Sequence, residues 1–339
     1  MASGPASLSF QPTNIYHGGM SELDLIRAFR QDPPSHPWLK VGPGHDCAIL
    51  SWEQGKDLAY KIDQIVEGTH FLLAGPAAAT PRRIGWKAVA KAASDIAATG
   101  FAPVAAVVAV NLRRDLSDAF ALELHAGISA CCRKYGIALA GGDITSSASA
   151  VSLCVSLLGQ GPAGSAWLRN GAKPGDWLLV TGDLGGSRGG KHLDFEPRLE
   201  EAQAIRALCA KSQEPLVHAC IDITDGLARD VGHLCEESAC GVELDDAALP
   251  IAAAAREASQ RDGRSVLEHA LGDGEDFELL LALEPAAAAY LLKNWTHATK
   301  LTRIGSILPA AAGRKLKRAD GRVEPLPDVG YEHETKVVG

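Results

Sequence analysis

Aromatic residues make up only 5% of this 339-residue chain. That excludes an aromatic-rich binding surface, and with abundant Ala and Gly it favours closely packed helices and Gly-rich turns. No run of Lys and Arg supplies the basic face of a nucleic-acid binder. The nearest, Arg314-Lys315-Leu316-Lys317-Arg318, reads as a solvated strand or turn in a chain of net charge -8. None of the eight cysteines (47, 131, 132, 154, 209, 220, 235 and 240) forms a Cys-x-x-Cys pair, so the usual zinc frame is missing. Cys235 and Cys240 have a loose ligand spacing but no second ligand pair nearby, and buried thiols in a reducing compartment are the better reading. The most apolar stretch, residues 101–112, is too short to span a membrane. Residues 1–10 lack the basic flank and apolar run of a signal peptide. These absences point to a cytoplasmic protein with neither a nucleic-acid nor a membrane partner.

What is present is a globular composition, 46% hydrophobic and 22% charged, on a length suited to two domains. Ser21 opens a capped helix that Pro33, Pro34 and Pro37 break. Residues 42–50 and 57–63 read as strand, turn and strand. Pro81 suits a helix start, and residues 84–99 repeat apolar residues at helical spacing. Residues 104–112 read as a buried strand, 119–135 as a helix, 137–140 as a strand running into Gly141-Gly142-Asp143, and 151–159 as another strand. The Gly/Pro cluster at 159–164 suggests a boundary, giving an N-terminal domain over 1–160 and a C-terminal one over 161–339. Beyond it come a turn at 173–176, a strand at 177–181, a strand ending in Asp222, a helix from Asp225 and a mixed segment around Gly274-Glu275-Asp276-Phe277-Glu278. The fold class is α/β (α+β) in two halves.

Six carboxylates stand out: Asp46 after a Gly-Pro-Gly turn, Asp63 ending an apolar strand, Asp95 inside an Ala-rich helix, Asp143 after two glycines, and Asp222 and Asp225 around Ile223-Thr224. Any one alone also suits a turn or a helix N-cap. Asp95, among small apolar residues, needs a cationic partner if buried. The set suits Mg²⁺, which takes hard oxygen ligands and works beside substrate phosphates.

A second motif is a decoy. Gly185 to Lys191 matches G-x-x-x-x-G-K after a strand, but His192 stands where a hydroxyl must bind Mg²⁺. The loop could still meet an anion through free backbone N–H groups.

Gly44-His45-Asp46-Cys47-Ala48, Asp63 with Val66-Glu67-Gly68-Thr69-His70-Phe71, Gly85-Trp86-Lys87-Ala88 to Ser94-Asp95-Ile96, Gly141-Gly142-Asp143, Gly171-Ala172-Lys173-Pro174-Gly175-Asp176, Ile221-Asp222-Ile223-Thr224-Asp225-Gly226 and Gly274-Glu275-Asp276-Phe277-Glu278-Leu279 occur in one order. In that order the chain resembles the thiamine-monophosphate kinases over nearly its whole length. The resemblance implies the two-domain fold of aminoimidazole-ribonucleotide synthetase, with an N-terminal sheet that pairs across a homodimer. It implies transfer of the ATP γ-phosphoryl to thiamine monophosphate, with several Mg²⁺ ions. By motif position Asp46, Asp63, Asp95, Asp143, Asp222 and Asp225 are metal ligands. Gly142, Asp143, Arg169 and Thr224 lie at ATP, and His70, Glu275 and Tyr331 (in Gly330-Tyr331-Glu332-His333) lie at the thiamine substrate.

Three departures accompany the match. His45 stands where the family has a second acid, Lys61-Ile62 where it has hydroxyl residues, and Asp273-Gly274 where it has two glycines. Water can replace a lost Mg²⁺ ligand, and Lys61 either neutralises phosphate or points away. The acceptor phosphate, with a second pKa of about 6, is already largely ionised at pH 7. No covalent nucleophile or essential base is expected, and transfer is direct. Superfamily relatives with other acceptors and a non-catalytic nucleotide sensor are the rival readings. Residues 1–40 lack the cysteine of selenophosphate synthetases, and the end Lys-Val-Val-Gly lacks that of the hydrogenase-maturation enzymes.

Overall fold

The computed structural model describes residues 39–41, 45–209 and 217–332. The helix expected from Ser21, its proline stop, Gly44 and His333 lie outside these residues.

Two sheets carry the described chain. The first contains β1 (Leu39–Val41), β2 (Ala48–Ser51), β3 (Lys56–Val66), β4 (Ala102–Arg113), β5 (Ala138–Ser147) and β6 (Ser152–Pro162), in the spatial order β1-β2-β3-β6-β4-β5. The second contains β7 (Trp177–Thr181), β8 (Val217–Asp222), β9 (Cys240–Asp245), β10 (Leu279–Leu283), β11 (Leu301–Pro309), β12 (Arg314–Lys317) and β13 (Val323–Pro325), in the order β13-β12-β9-β11-β7-β10-β8. The described residues from Leu39 to Tyr331 form one compact unit.

Helix α1 (Pro81–Ala98) is the pivot. Thr80 caps it through the Arg83 N–H and Pro81 supplies the first turn. Its small side chains let it be buried on most sides, against β3 and β6, against β8 of the second sheet, and against α2 (Asp118–Lys134). Gly85 and Gly127 make the α1–α2 approach possible. A Cβ on Gly85 would overlap the Leu124 carbonyl, and one on Gly127 the Arg82 carbonyl. The remaining helices are α3 (Lys191–Asp194), α4 (Leu199–Cys209), α5 (Leu227–Ser238), α6 (Ala253–Asp262), α7 (Val266–Gly272) and α8 (Pro285–Asn294).

Three expectations need correction. The strand read as buried at 104–112 is β4, but one of its faces is open and Val107 is 45% exposed. The helix expected from Asp225 starts at Leu227, because Gly226 holds φ at 115° and cannot continue helically. The strand read as ending before Gly141 runs on to Ser147, so Asp143 lies inside β5.

The last point decides a face. Pairing aligns Gln64, Cys154, Ala109 and Asp143 in one row across β3, β6, β4 and β5. The adjacent row is Asp63, Val155, Val108 and Gly142. Side chains alternate across a strand, so Asp143 faces away from Asp63, Lys61 and α1. Gly142 has a packing reason of its own, since a Cβ there would strike the Val108 carbonyl.

Candidate active site

Three strand and helix ends deliver Asp46, Asp95 and Asp222 to one place. Each has a carboxylate oxygen within 4.8 Å of the others', and all three are buried. Asp46 precedes β2, Asp95 sits in the last turns of α1, and Asp222 ends β8.

Their partners differ. Arg169 grips Asp46 with two bonds, Nε to Oδ2 at 3.0 Å and Nη2 to Oδ1 at 3.1 Å. Lys61, on β3, meets Asp95 at 2.8 Å. Asp222 accepts from two hydroxyls, Ser94 Oγ at 2.6 Å and Thr224 Oγ1 at 3.2 Å. Asp63 sits beside the trio and accepts from Lys91 Nζ and the Gln64 N–H, each at 2.8 Å.

Burial pushes the Asp222 carboxyl up to about 6, helped by the negative charge of Asp46. Burial also pushes Asp95 well up, against the pull of Lys61. For Asp46 burial acts in the same sense, but the Arg169 guanidinium overrides it and holds the carboxyl down. Carboxylates crowded so that two of them resist ionising are a site that gains from a cation. The donors are hard oxygens, which fits Mg²⁺.

A second group, Asp225, Asp230 and His233, is also close enough to share an ion. Asp230 has other work, because its Oδ2 accepts from the backbone N–H groups of Thr224, Asp225 and Gly226 at 2.9–3.1 Å. It braces the turn that aims Asp222 and Thr224.

The residues expected at the thiamine substrate also converge. Lys87 Nζ, with no exposed side-chain surface, donates to the His70 carbonyl at 2.7 Å and to Glu275 Oε1 at 2.6 Å. The His70 ring accepts the Val66 N–H on Nδ1 at 3.1 Å, which leaves its Nε2 as the donor. The Glu275 N–H donates to the Thr224 carbonyl, and the Tyr331 N–H to that of Asp225 at 2.9 Å. Glu275 and Phe277 both have positive φ, 54° and 52°, conformations that cost energy and recur at functional sites.

The Gly-rich loop is tied down rather than free. Gly185 N–H donates to Asp276 Oδ1 at 2.9 Å, Gly186 N–H to Asp273 Oδ2 at 2.8 Å, and Ser187 Oγ to the Gly274 carbonyl. Lys191 donates to buried Glu278 at 2.8 Å, where Arg198 also binds. The loop latches the segment that carries Glu275.

Asp46, Asp63, Asp95, Arg169, Asp222 and Thr224 thus come together, as do His70, Glu275 and the Tyr331 backbone. Asp143 and Gly142 do not join them within one chain. Sequence reasoning missed Lys87, Lys91, Ser94 and Asp230. The signal was present for the first two: Lys87, Lys91 and Asp95 stand four residues apart, on one face of an Ala-rich helix.

Residues 44–161 match the family model described as the N-terminal domain of AIR synthase related proteins, and residues 173–312 match that of the C-terminal domain. The thiamine-monophosphate kinase of Rhodopirellula baltica is 36% identical over 310 residues, covering 89% of this chain and 94% of that one. The enzyme of Escherichia coli K12 is 31% identical over 333 residues, covering 92% and 95%. A solved structure described as AaThiL complexed with AMPPCP and TMP superposes with a TM-score of 0.77 at 25% identity, covering 96% of this chain and all of that one.

Proposed function

This chain belongs to the AIR synthase related proteins and, among them, to the thiamine-monophosphate kinases; we infer that it moves the γ-phosphoryl of ATP to thiamine monophosphate, yielding ADP and thiamine diphosphate. The observation that carries the site assignment is the buried trio Asp46, Asp95 and Asp222, within 4.8 Å of one another, with cationic Arg169 and Lys61 against two of them.

Asp46, Asp95 and Asp222 would hold Mg²⁺, with Asp63 and Asp225 beside them. Mg²⁺ held there would supply the charge neutralisation that lets two phosphates approach. The chain's own residues do the rest. Arg169 and Thr224 meet the ATP phosphates. Lys87 fixes Glu275, and Glu275 and the His70 Nε2–H bind the acceptor, with Tyr331 at its ring. The acceptor oxygen is already largely ionised at neutral pH, so no residue is needed as a base and none as a covalent carrier. Positioning and charge neutralisation supply the rate.

We also assign a homodimer. The first sheet turns an uncovered face outward, with Ile62 at 66% and Tyr60 at 48% exposure. Ile62, Ser156 and Val107 form one row on that face. An open apolar sheet face of this kind fits a second copy. Asp143 borders it and in this reading joins the metal and ATP set through the dimer. The boundary between the N-terminal nucleotide-binding and dimerising domain and the C-terminal domain falls near residue 160. Among the described residues no helix is long and apolar enough to cross a membrane, and eight cysteines stand as free thiols. Both features fit a cytoplasmic enzyme.

A coupled ADP-release assay with ATP, Mg²⁺ and thiamine monophosphate tests this, with Asp222→Asn alongside. Acceptor-dependent ADP release that the variant lacks supports it. Release that ignores the acceptor counts against it.

A further inference from the structure

Two departures from the family pattern stand side by side at positions 61 and 62, and the structure separates them. Ile62 points to the open sheet face and is 66% exposed, so the carboxylate cluster does not feel its lost hydroxyl. Lys61 points inward. Its Nζ lies 2.8 Å from Asp95 Oδ1, with 22% of its side chain exposed. Its charge also reaches Asp63, Asp46 and Asp222. The neighbouring Asp63 already carries Lys91 and a backbone N–H on its Oδ1. Asp222, by contrast, takes its bonds from the neutral hydroxyls of Ser94 and Thr224. Lys61, Lys91 and Arg169 therefore bond Asp95, Asp63 and Asp46 directly, whereas the positive charge that reaches Asp222 comes from Lys61 and Arg169 at longer range.

We propose that the Lys61 ammonium is a resident cation of the phosphate-transfer site, neutralising Asp95 and Asp63 in place of one divalent ion, so that this chain loads fewer divalent ions than the same site with a neutral residue at position 61. The inference rests on reading the Asp46–Asp95–Asp222 cluster as the divalent-ion site. An ammonium against a carboxylate satisfies a buried charge as a metal does. Unlike Mg²⁺ it brings no open coordination position for phosphate. The ions that contact phosphate then gather toward Asp222, whose hydrogen bonds come from neutral hydroxyls.

Mn²⁺ is the probe. Free Mn²⁺ is followed by electron paramagnetic resonance as the full chain is titrated with a non-hydrolysable ATP analogue present. Wild type, Lys61→Ser and Lys61→Arg are compared, each checked for folding by circular dichroism. Lys61→Ser is expected to bind one more Mn²⁺ per chain than wild type, and Lys61→Arg the wild-type number. Equal counts for wild type and Lys61→Ser overturn the inference while leaving the metal site standing. No bound Mn²⁺ in any of the three overturns both. If Lys61→Ser does not fold, anomalous scattering from wild-type crystals with Mn²⁺ decides. An ion in the place of the Lys61 ammonium between Asp63 and Asp95 contradicts the inference, and ions at the trio with Lys61 still on Asp95 support it.

Discussion

Lys87 and Glu275 are 188 residues apart in sequence and meet at 2.6 Å. The lysine rises from the buried face of α1, and the glutamate stands on the positive-φ segment before β10. Glu275→Gln keeps the shape and removes the charge. A charge-assisted bond contributes about 1.5–3 kcal/mol, so KM for thiamine monophosphate is expected to rise about tenfold or more. KM for ATP should stay near wild type. Steady-state kinetics with each substrate varied separates the two, and an equal rise in both would remove Glu275 from the acceptor site.

The latch reading of the Gly-rich loop has its own test at Lys191. In Lys191→Met the buried Glu278 loses one of its two cations and keeps Arg198. Urea unfolding should show a loss of about 1–3 kcal/mol. ATP affinity, measured by calorimetry, should change by less than about twofold. A phosphate-cradling lysine would give the opposite pattern, weak ATP binding in a stable protein.

Asp276 predicts a pH dependence. Burial pushes its carboxyl from 3.8 up to about 7, with Glu278 and Asp273 adding to the rise and Lys191 and the Gly185 N–H opposing it. The folded chain therefore keeps this proton after the unfolded chain has released it. The stability linked to this group is full below about pH 4 and is lost as pH rises to about 7. Asp276→Asn should remove that slope. The variant should gain on wild type between pH 4 and 7, with a constant difference above, as read from unfolding midpoints across pH.

The open face of the first sheet gives a prediction about assembly. Ile62→Glu places a charge in the row Ile62–Ser156–Val107 without touching the inward-facing cluster. Light scattering after size exclusion should report the 35.5 kDa single chain for the variant and twice that for wild type. A wild-type single chain would contradict the dimer.

The legible parts of the sequence were those where local chemistry and fold agree. Thr80 and Pro81 mark the start of α1 because capping is local. Asp95 was readable because a carboxylate in an Ala-rich helix is costly unless paired. Residues 104–112 misled because a continuous apolar run does not say which face will be covered, and in the single chain one face is not. The strand end before Gly141 misled because two glycines suggest a turn, whereas here the strand continues and Gly142 is needed for close strand packing. Lys87 and Lys91 were overlooked because lysines on a helix usually face water. Asp63 on β3, the His70 carbonyl after it and Glu275 before β10 make that face interior.

The most direct test follows the phosphoryl group itself. The enzyme is quenched during turnover with ATP labelled on the γ-phosphate, thiamine monophosphate and Mg²⁺, and the label is located. The account predicts label in thiamine diphosphate and none on the protein, with Asp95→Asn and Asp222→Asn transferring none. Label held covalently on the protein, or released only as inorganic phosphate, would contradict it.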